Sequence, residues 1–315
     1  MEVLPGIIRD FEPRNVFNAD EMGLYWRATP DGTLTFKKSE AAGSKIAKER
    51  VTLLLACNMD GSEKLEPLTI GKSRNPRCFK NVKRLPVDYQ ANKNAWMTGE
   101  IWGEWLKKVD SRMRRQRLQI VMLCDNCAAH SSDMRLTNIK LVFLPPNTTS
   151  LIQPMDQGII ANFKRHYRCL VLRHLMTAID DSSDASMRVT ELAKKLTLLD
   201  SLHMQKEAWS RVTVQTVVNC YRRASFIKQT SDGIDESGLD EPGPCQANDS
   251  GNCDINLPDG VSSDDFSHYV DIDNDLPVSA ESTDVEICAN VQAAADSGES
   301  DDDAATWTRS SCCIH

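Results

Sequence analysis

Two continuous apolar runs constrain this chain more than any other feature. "LQIVMLCDN" (Leu118–Asn126) and "IKLVFLPPN" (Ile139–Asn147) each carry about five apolar residues in a row and then stop at polar or proline punctuation. They are too short for helices and show no alternation. A strand of this kind is buried on both faces, so helices must cover the sheet on both sides. The neighbouring sequence supplies them. In "TGEIWGEWLKKVDSRMRRQ" (Thr98–Gln116), Ile101, Trp102, Trp105, Leu106 and Val109 recur at helical spacing behind Thr98, a suitable N-cap. From Asp156 to Leu175 a second helical face is formed by Ile159, Ile160, Phe163, Tyr167, Leu170, Val171 and Leu175.

Other segments fit the same class. "RNVFNADEMGLYWRAT" (Arg14–Thr29) predicts a strand, a turn at Gly23 and a second strand. "RVTLLLACNMDGSEKLEPLTIGK" (Arg50–Lys72) predicts two strands joined at Asp60-Gly61, an Asp-Gly hairpin signal. Helices are expected at about 189–202 and 214–224. The order is strands, then alternating helix and strand, then helices, which is a mixed α/β body.

Charge divides the chain in two. From Ser231 onward there are 21 acidic residues and one basic residue, Arg309, giving a net charge of −20 against +12 for residues 1–230. The tail, residues 231–315, lacks apolar periodicity and is expected to be disordered. The basic body suits a polyanionic partner. Eleven cysteines without regular spacing, and no secretory signal ahead of them, point to free thiols in a reducing compartment. No run approaches the roughly 18 apolar residues of a membrane span.

Three aspartates are placed for chemistry. Asp125 ends the buried run "IVMLC", where ligand-binding groups of open α/β sheets gather. Asp20 follows "VFNA" on the first strand, and Asp156 opens the long helix, where capping is the simpler role. Brought together, three carboxylates repel unless cations sit between them, and oxygen ligands suit Mg²⁺ or Mn²⁺. Asn126 and His130 follow Asp125 closely enough to be supporting contacts, although a histidine there is more often structural. Cys124 and Cys127 have zinc-pair spacing, but a structural zinc needs four ligands and no second CxxC exists. Basic stretches around Lys72, Arg74 and Arg77, along Lys107–Arg117, and at Lys164 and Arg165 are either solvated faces or tracks for nucleic-acid phosphates.

"NADEMGLYWR", "GSKIAKERVTLLLACNMDGSEKLEPLTIGKSRNPRCFKNV", "NKNAWMTGEIWGEWL", "CDNCAAH" and "LPPNTTSLIQPMDQGIIANFK" together resemble the DDE domain of pogo-type transposases, a group that includes the Tigger-derived proteins, jerky and centromere protein B. The resemblance implies a ribonuclease H-like fold, with a mixed five-stranded sheet flanked by helices over residues 14–228. It implies that Asp20, Asp125 and Asp156 hold a two-metal Mg²⁺ or Mn²⁺ site for phosphodiester cleavage and strand transfer in a nuclear, DNA-binding protein. Met22 stands where the family usually has a small hydroxyl residue. Relatives carry paired helix-turn-helix domains ahead of this domain. Here Met1 lies about sixteen residues before the first catalytic strand, so that reader is expected to be absent and DNA binding to be mostly electrostatic. The other expectation consistent with the acidic tail is a non-catalytic chromatin or interaction protein, with the tail, or a second copy of the chain, as the contact.

Overall fold

The two apolar runs become neighbouring parallel strands, β5 (Ile120–Cys124) and β6 (Ile139–Phe143), paired from Ile120↔Ile139 to Cys124↔Phe143. β5 is buried throughout. β6 lies at the sheet edge and exposes Lys140, so only one of the two runs is fully interior. A computed structural model describes residues 8–30, 49–130, 134–145, 148–180, 189–227 and 261–279. All belong to one compact unit, residues 1–280; the remaining residues, 281–315, lie outside the described ones.

The other strands are β1 (Val16–Tyr25), β2 (Arg50–Asn58), β3 (Leu68–Gly71) and β4 (Asp88–Ala91), and the order across the sheet is β4-β3-β2-β1-β5-β6. β1, β2 and β3 run antiparallel in turn, while β1–β5, β5–β6 and β3–β4 are parallel. This is the ribonuclease H-like arrangement with one strand more than the expected five. The addition is β4, whose four residues "DYQA" are all half-buried and carry no apolar run to announce them.

Period-2 alternation sorts the core. Val16, Met22 and Leu24 of β1 face one layer, with Phe163, Tyr167, Val171 and Leu175 of α2 (Ile160–Asp180), Trp209 of α4 (Leu198–Arg211) and Tyr221 of α5 (Val214–Arg223). Phe17 and Ala19 face the other, with Trp102, Trp105, Leu106 and Val109 of α1 (Gly99–Gln116), which Thr98 caps. No helix among the described residues is long and apolar enough to cross a membrane.

Four expectations are corrected. Gly23 makes no turn: β1 continues through it, and its missing side chain admits Leu276, whose Cβ would lie 2.5 Å from a Cβ at Gly23. The helix expected over 189–202 is two, α3 (Val189–Lys195) and α4, separated where Thr197 and Asp200 form a capping box. The long helix starts at Ile160 rather than Asp156, which sits on a wide turn, Met155–Ile159. Finally, part of the acidic tail is ordered. Helix α6 (Ser263–Asp271) buries Phe266, Tyr269 and Val270 against Cys169 and Leu172 of α2 and Ala28. One of the charges that argued for disorder is neutralised across space: Asp273, 2% exposed, pairs with buried Arg168 and lies 2.7 Å from Lys164 Nζ.

Candidate metal centre

The sheet register brings the first two aspartates together. β1 and β5 pair in parallel up to Asn18↔Leu123, and two further residues set Asp20 level with Asp125. Alternation turns Asp20 to the α2 side of the sheet, the side on which Asp156 enters. Buried Asn18 fixes that entry. Its Nδ2 donates to Leu123 O at 3.0 Å, and its Oδ1 accepts from Met155 N–H at 2.9 Å, so one side chain ties β1, β5 and the Asp156 turn together. The turn needs Gly158, whose φ of +132° is closed to other L-residues without strain. Cys220 Sγ and Arg223 Nη1 of α5 brace it through Gln157 O, at 3.4 and 3.2 Å.

The three carboxylates feel one another. Burial, then the charges of Asp156, Glu21 and Asp125, hold the Asp20 carboxyl well above the ordinary range, against a hydrogen bond from the Gln153 side chain. Burial likewise raises Asp156, against a hydrogen bond with Asp20 and with a further push from Asp125. The Asp20 shift records the difficulty of ionising a buried group beside like charges; Asp156 itself reaches solvent. Gln153 Oε1, on a side chain 1% exposed, is buried with no hydrogen-bond partner. An all-oxygen donor set, like charges confined together and an orphaned amide oxygen beside them fit a hard divalent cation.

His130 has a structural task in this arrangement. Its side chain is fully buried and stacked on Trp102, with ring centroids 4.0 Å apart. Nε2 lies 3.0 Å from Glu21 Oε1, and Nδ1 lies 2.8 Å from Asp125 Oδ1. Burial opposes a charged imidazole, but Glu21 and Asp125 outweigh it and raise the pKa well above the ordinary histidine value. Nδ1 also lies 3.0 Å from the Asp125 backbone carbonyl, so the imidazole anchors residue 125 through its main chain, with the carboxylate alongside. Glu21, Asp125, Cys127 and His130 also have donor atoms within 4.8 Å of one another. Both ring nitrogens of His130 are already engaged, by Glu21 on one side and by Asp125 on the other. Asn126 is exposed.

Sequence reasoning missed Asn18, Glu21 and Gln153. Glu21 and Gln153 stand beside Asp20 and in "QPMDQG", close enough to have been considered. Asn18 gave a cue of its own, a polar residue inside the buried run "NVFNA". Among the basic candidates, Lys72, Arg74 and Arg77 are exposed, and none has an ion-pair partner among the described residues. Lys164 is corrected: it is 4% exposed, bonded to Asn274 Oδ1 at 2.7 Å and to Asp273, and so is closed to phosphate. Arg165 is half-buried with its guanidinium 5.7 Å from the Phe266 ring.

Comparison with known proteins gives the family. The chain is 39% identical over 224 residues to Tigger transposable element-derived protein 4 of Mus musculus, covering 71% of this chain and 42% of that protein. It is 31% identical to the major centromere autoantigen B of Homo sapiens, covering 70% of this chain and 35% of that one. The chain thus spans less than half the length of these relatives. A Mos1 strand transfer complex is a distant structural neighbour, at 11% identity and a TM-score of 0.33 over 71% of this chain and 59% of that one. Residues 48–221 match the DDE superfamily endonuclease domain. That span holds Asp125 and Asp156 and begins after β1, so Asp20 joins them on geometry alone. By that match over more than half its length, the chain belongs to the DDE superfamily endonucleases and is a transposase-derived DDE domain.

Proposed function

We propose that this chain is a nuclear DNA-binding protein whose DDE domain cleaves phosphodiester bonds and transfers strands with the help of Mg²⁺ or Mn²⁺. What supports the reading is that the central strands β1 and β5 and the Met155–Ile159 turn bring Asp20, Asp125 and Asp156 to the same end of the sheet, where Asp20 feels the charges of the other two. These three carboxylates would hold the ions, and Gln153 Oε1 would accept from an ordered water. A bound pair of ions would activate the attacking oxygen and neutralise charge on the phosphodiester. The protein's own part is placement. Asn18 holds the Asp156 turn to the sheet, His130, held by Glu21, anchors the main chain of residue 125, and the Met155–Ile159 turn keeps Asp156 from the regular helical path. Domain limits near residues 14–228, extended by the docked segment 261–279, belong to the same proposal.

The test is nicking of supercoiled plasmid with Mg²⁺ or Mn²⁺ added. The expected result is conversion to the open circle by the native chain, lost in Asp125→Asn and Asp156→Asn. Equal nicking by both variants, or none by the native chain, sinks the proposal. One observation favours a second reading, a non-catalytic chromatin or interaction protein: an acidic segment of the chain occupies Lys164 and Arg168.

A further inference from the structure

The described residues carry three groups of cations, and in only one of them does no member have an ion-pair partner. On α1, Lys108 pairs with Asp88, Arg112 lies 2.6 Å from Glu63, and Arg114 lies 3.3 Å from Asp110. On α2, Lys164 and Arg168 are taken by Asp273. The connection from β3 to β4 differs. Between Lys72 and Arg84 it carries Lys72, Arg74, Arg77, Lys80, Lys83 and Arg84, with no acidic residue in the interval. All six are exposed, and none has an ion-pair partner among the described residues.

The connection is held rather than loose. Tyr89 O–H donates to Ser73 O at 2.7 Å, and the Tyr89 ring meets Phe79 edge-on at 4.9 Å. A Cβ on Gly71 would lie 2.2 Å from Tyr89 Oη, so glycine is what lets the tyrosine reach across. Pro76 leads into a 3₁₀ turn, Arg77–Phe79, and Asn81 takes a φ of 68°. Fixing the backbone in this way lowers the ordering cost when a ligand engages the charges.

Its position follows from the register. Ile70 of β3 pairs with Thr52, which pairs with Gly23 of β1. β3 therefore runs parallel to β1, two strands away, and its connection leaves at the end toward which β1 carries Asp20. Strand spacing and rise put Lys72, at the root of the connection, roughly 19 Å from Asp20, or about five to six steps of one DNA strand at 3.4 Å each.

We infer that Lys72–Arg84 is a nucleic-acid docking surface, which holds the phosphate backbone of duplex DNA several base pairs from the bond facing the three carboxylates. The inference rests on the DNA reading above and adds the surface that makes the contact. Phosphate contacts of this kind position the duplex without reading its sequence.

The test is binding of the full chain to a short labelled duplex, followed by fluorescence anisotropy in EDTA between about 50 and 200 mM salt. Each lost phosphate contact should reduce the slope of log K against log salt by about 0.9. A variant with Lys72→Ala, Arg74→Ala, Arg77→Ala and Lys80→Ala should therefore show a slope shallower by about 3–4. Lys107→Ala with Arg115→Ala, on the outer face of α1, should leave it unchanged. The charge-keeping exchange Lys72→Arg, Arg74→Lys, Arg77→Lys and Lys80→Arg should retain the native slope. The inference is overturned if the alanine variant keeps the native slope, if the α1 control loses as much, or if the exchange variant behaves like the alanine one. A loop-dependent slope in a chain that never nicks DNA would remove the cleavage proposal and leave this surface standing; nicking with a loop-independent slope would do the reverse.

Discussion

Two charge clusters lie along the α2 side of the molecule, and their balance is opposite. Around Arg168, two cations share the Asp273 carboxylate, Tyr25 N–H donates to Asp273 Oδ2 at 3.0 Å, and the guanidinium lies 4.7 Å from the Tyr269 ring. Around Asp156, three carboxylates meet with one amide donor, and two of them are driven toward protonation. Both are costly to desolvate. In the first, every charge faces an opposite charge, two cations on one carboxylate, as in a structural joint. The second is compensated only by something brought to it. Charge balance, more than burial or polarity, separates the joint from the candidate metal centre.

The largest effect should come from breaking the balanced cluster. Asp273→Ala leaves Arg168 buried without its counter-charge, a loss typically worth about 3–5 kcal/mol. At about 2–4 °C per kcal/mol for a body this size, the melting temperature should fall by about 10 °C. A change within the error of the melt would show that the segment 261–279 is a loose attachment.

Next is the response of the unbalanced cluster to cations. Mn²⁺ at a hundredfold excess over its dissociation constant should stabilise the native chain by about 2.7 kcal/mol. Asp125→Ala should abolish that gain, and Asp273→Ala should keep it. Calorimetric titration of the three proteins distinguishes these outcomes.

A smaller effect concerns His166, also on α2 and 6% exposed. Burial, then Arg211, Arg165 and Lys64, lower its pKa to about 4. The unfolded chain binds this proton near the ordinary value of 6.5, so stability is lost as pH falls from about 6.5 towards 4. The loss should be on the order of 2 kcal/mol, and His166→Gln should flatten that limb of a urea-midpoint profile. An unaltered limb would assign it to other groups.

The smallest effect has the opposite sign to the first. Without metal, Asp156→Asn removes one like charge and should stabilise the fold only slightly, by roughly 0.5 kcal/mol or less, because Asp156 is exposed and its repulsion is screened by solvent. Destabilisation would mean that Asp156 contributes more through its hydrogen bonds than it costs through repulsion.

How far these features could be read in advance depended on how local their causes are. β5, α1 and the α2 face follow from side chains a few positions apart, and all were legible. Asp125 was legible because a strand end is a local event. β4 was not, since four half-buried residues at a sheet edge leave no apolar signal. Gly23 misled because its reason, Leu276, lies far along the chain. The same holds for the ordered part of the acidic tail, where Asp273 finds Arg168 across 105 residues, and for Glu21, which meets His130 across 109. A composition argument adds charges along the chain, whereas the fold cancels them in space.

The Asn18 carboxamide has a mechanical consequence. It fastens the backbone just before Asp156 to the two central strands, while α2 begins only after the wide turn that follows. A partner leaning on the outer face of α2 would load the helix first, and the glycine at 158 gives the chain a pivot before that load arrives at the carboxylate. The spacing of the three acidic groups is therefore referenced to the stiffest part of the molecule and insulated from its periphery. Ion affinity should stay constant while other surfaces gain or lose binding partners.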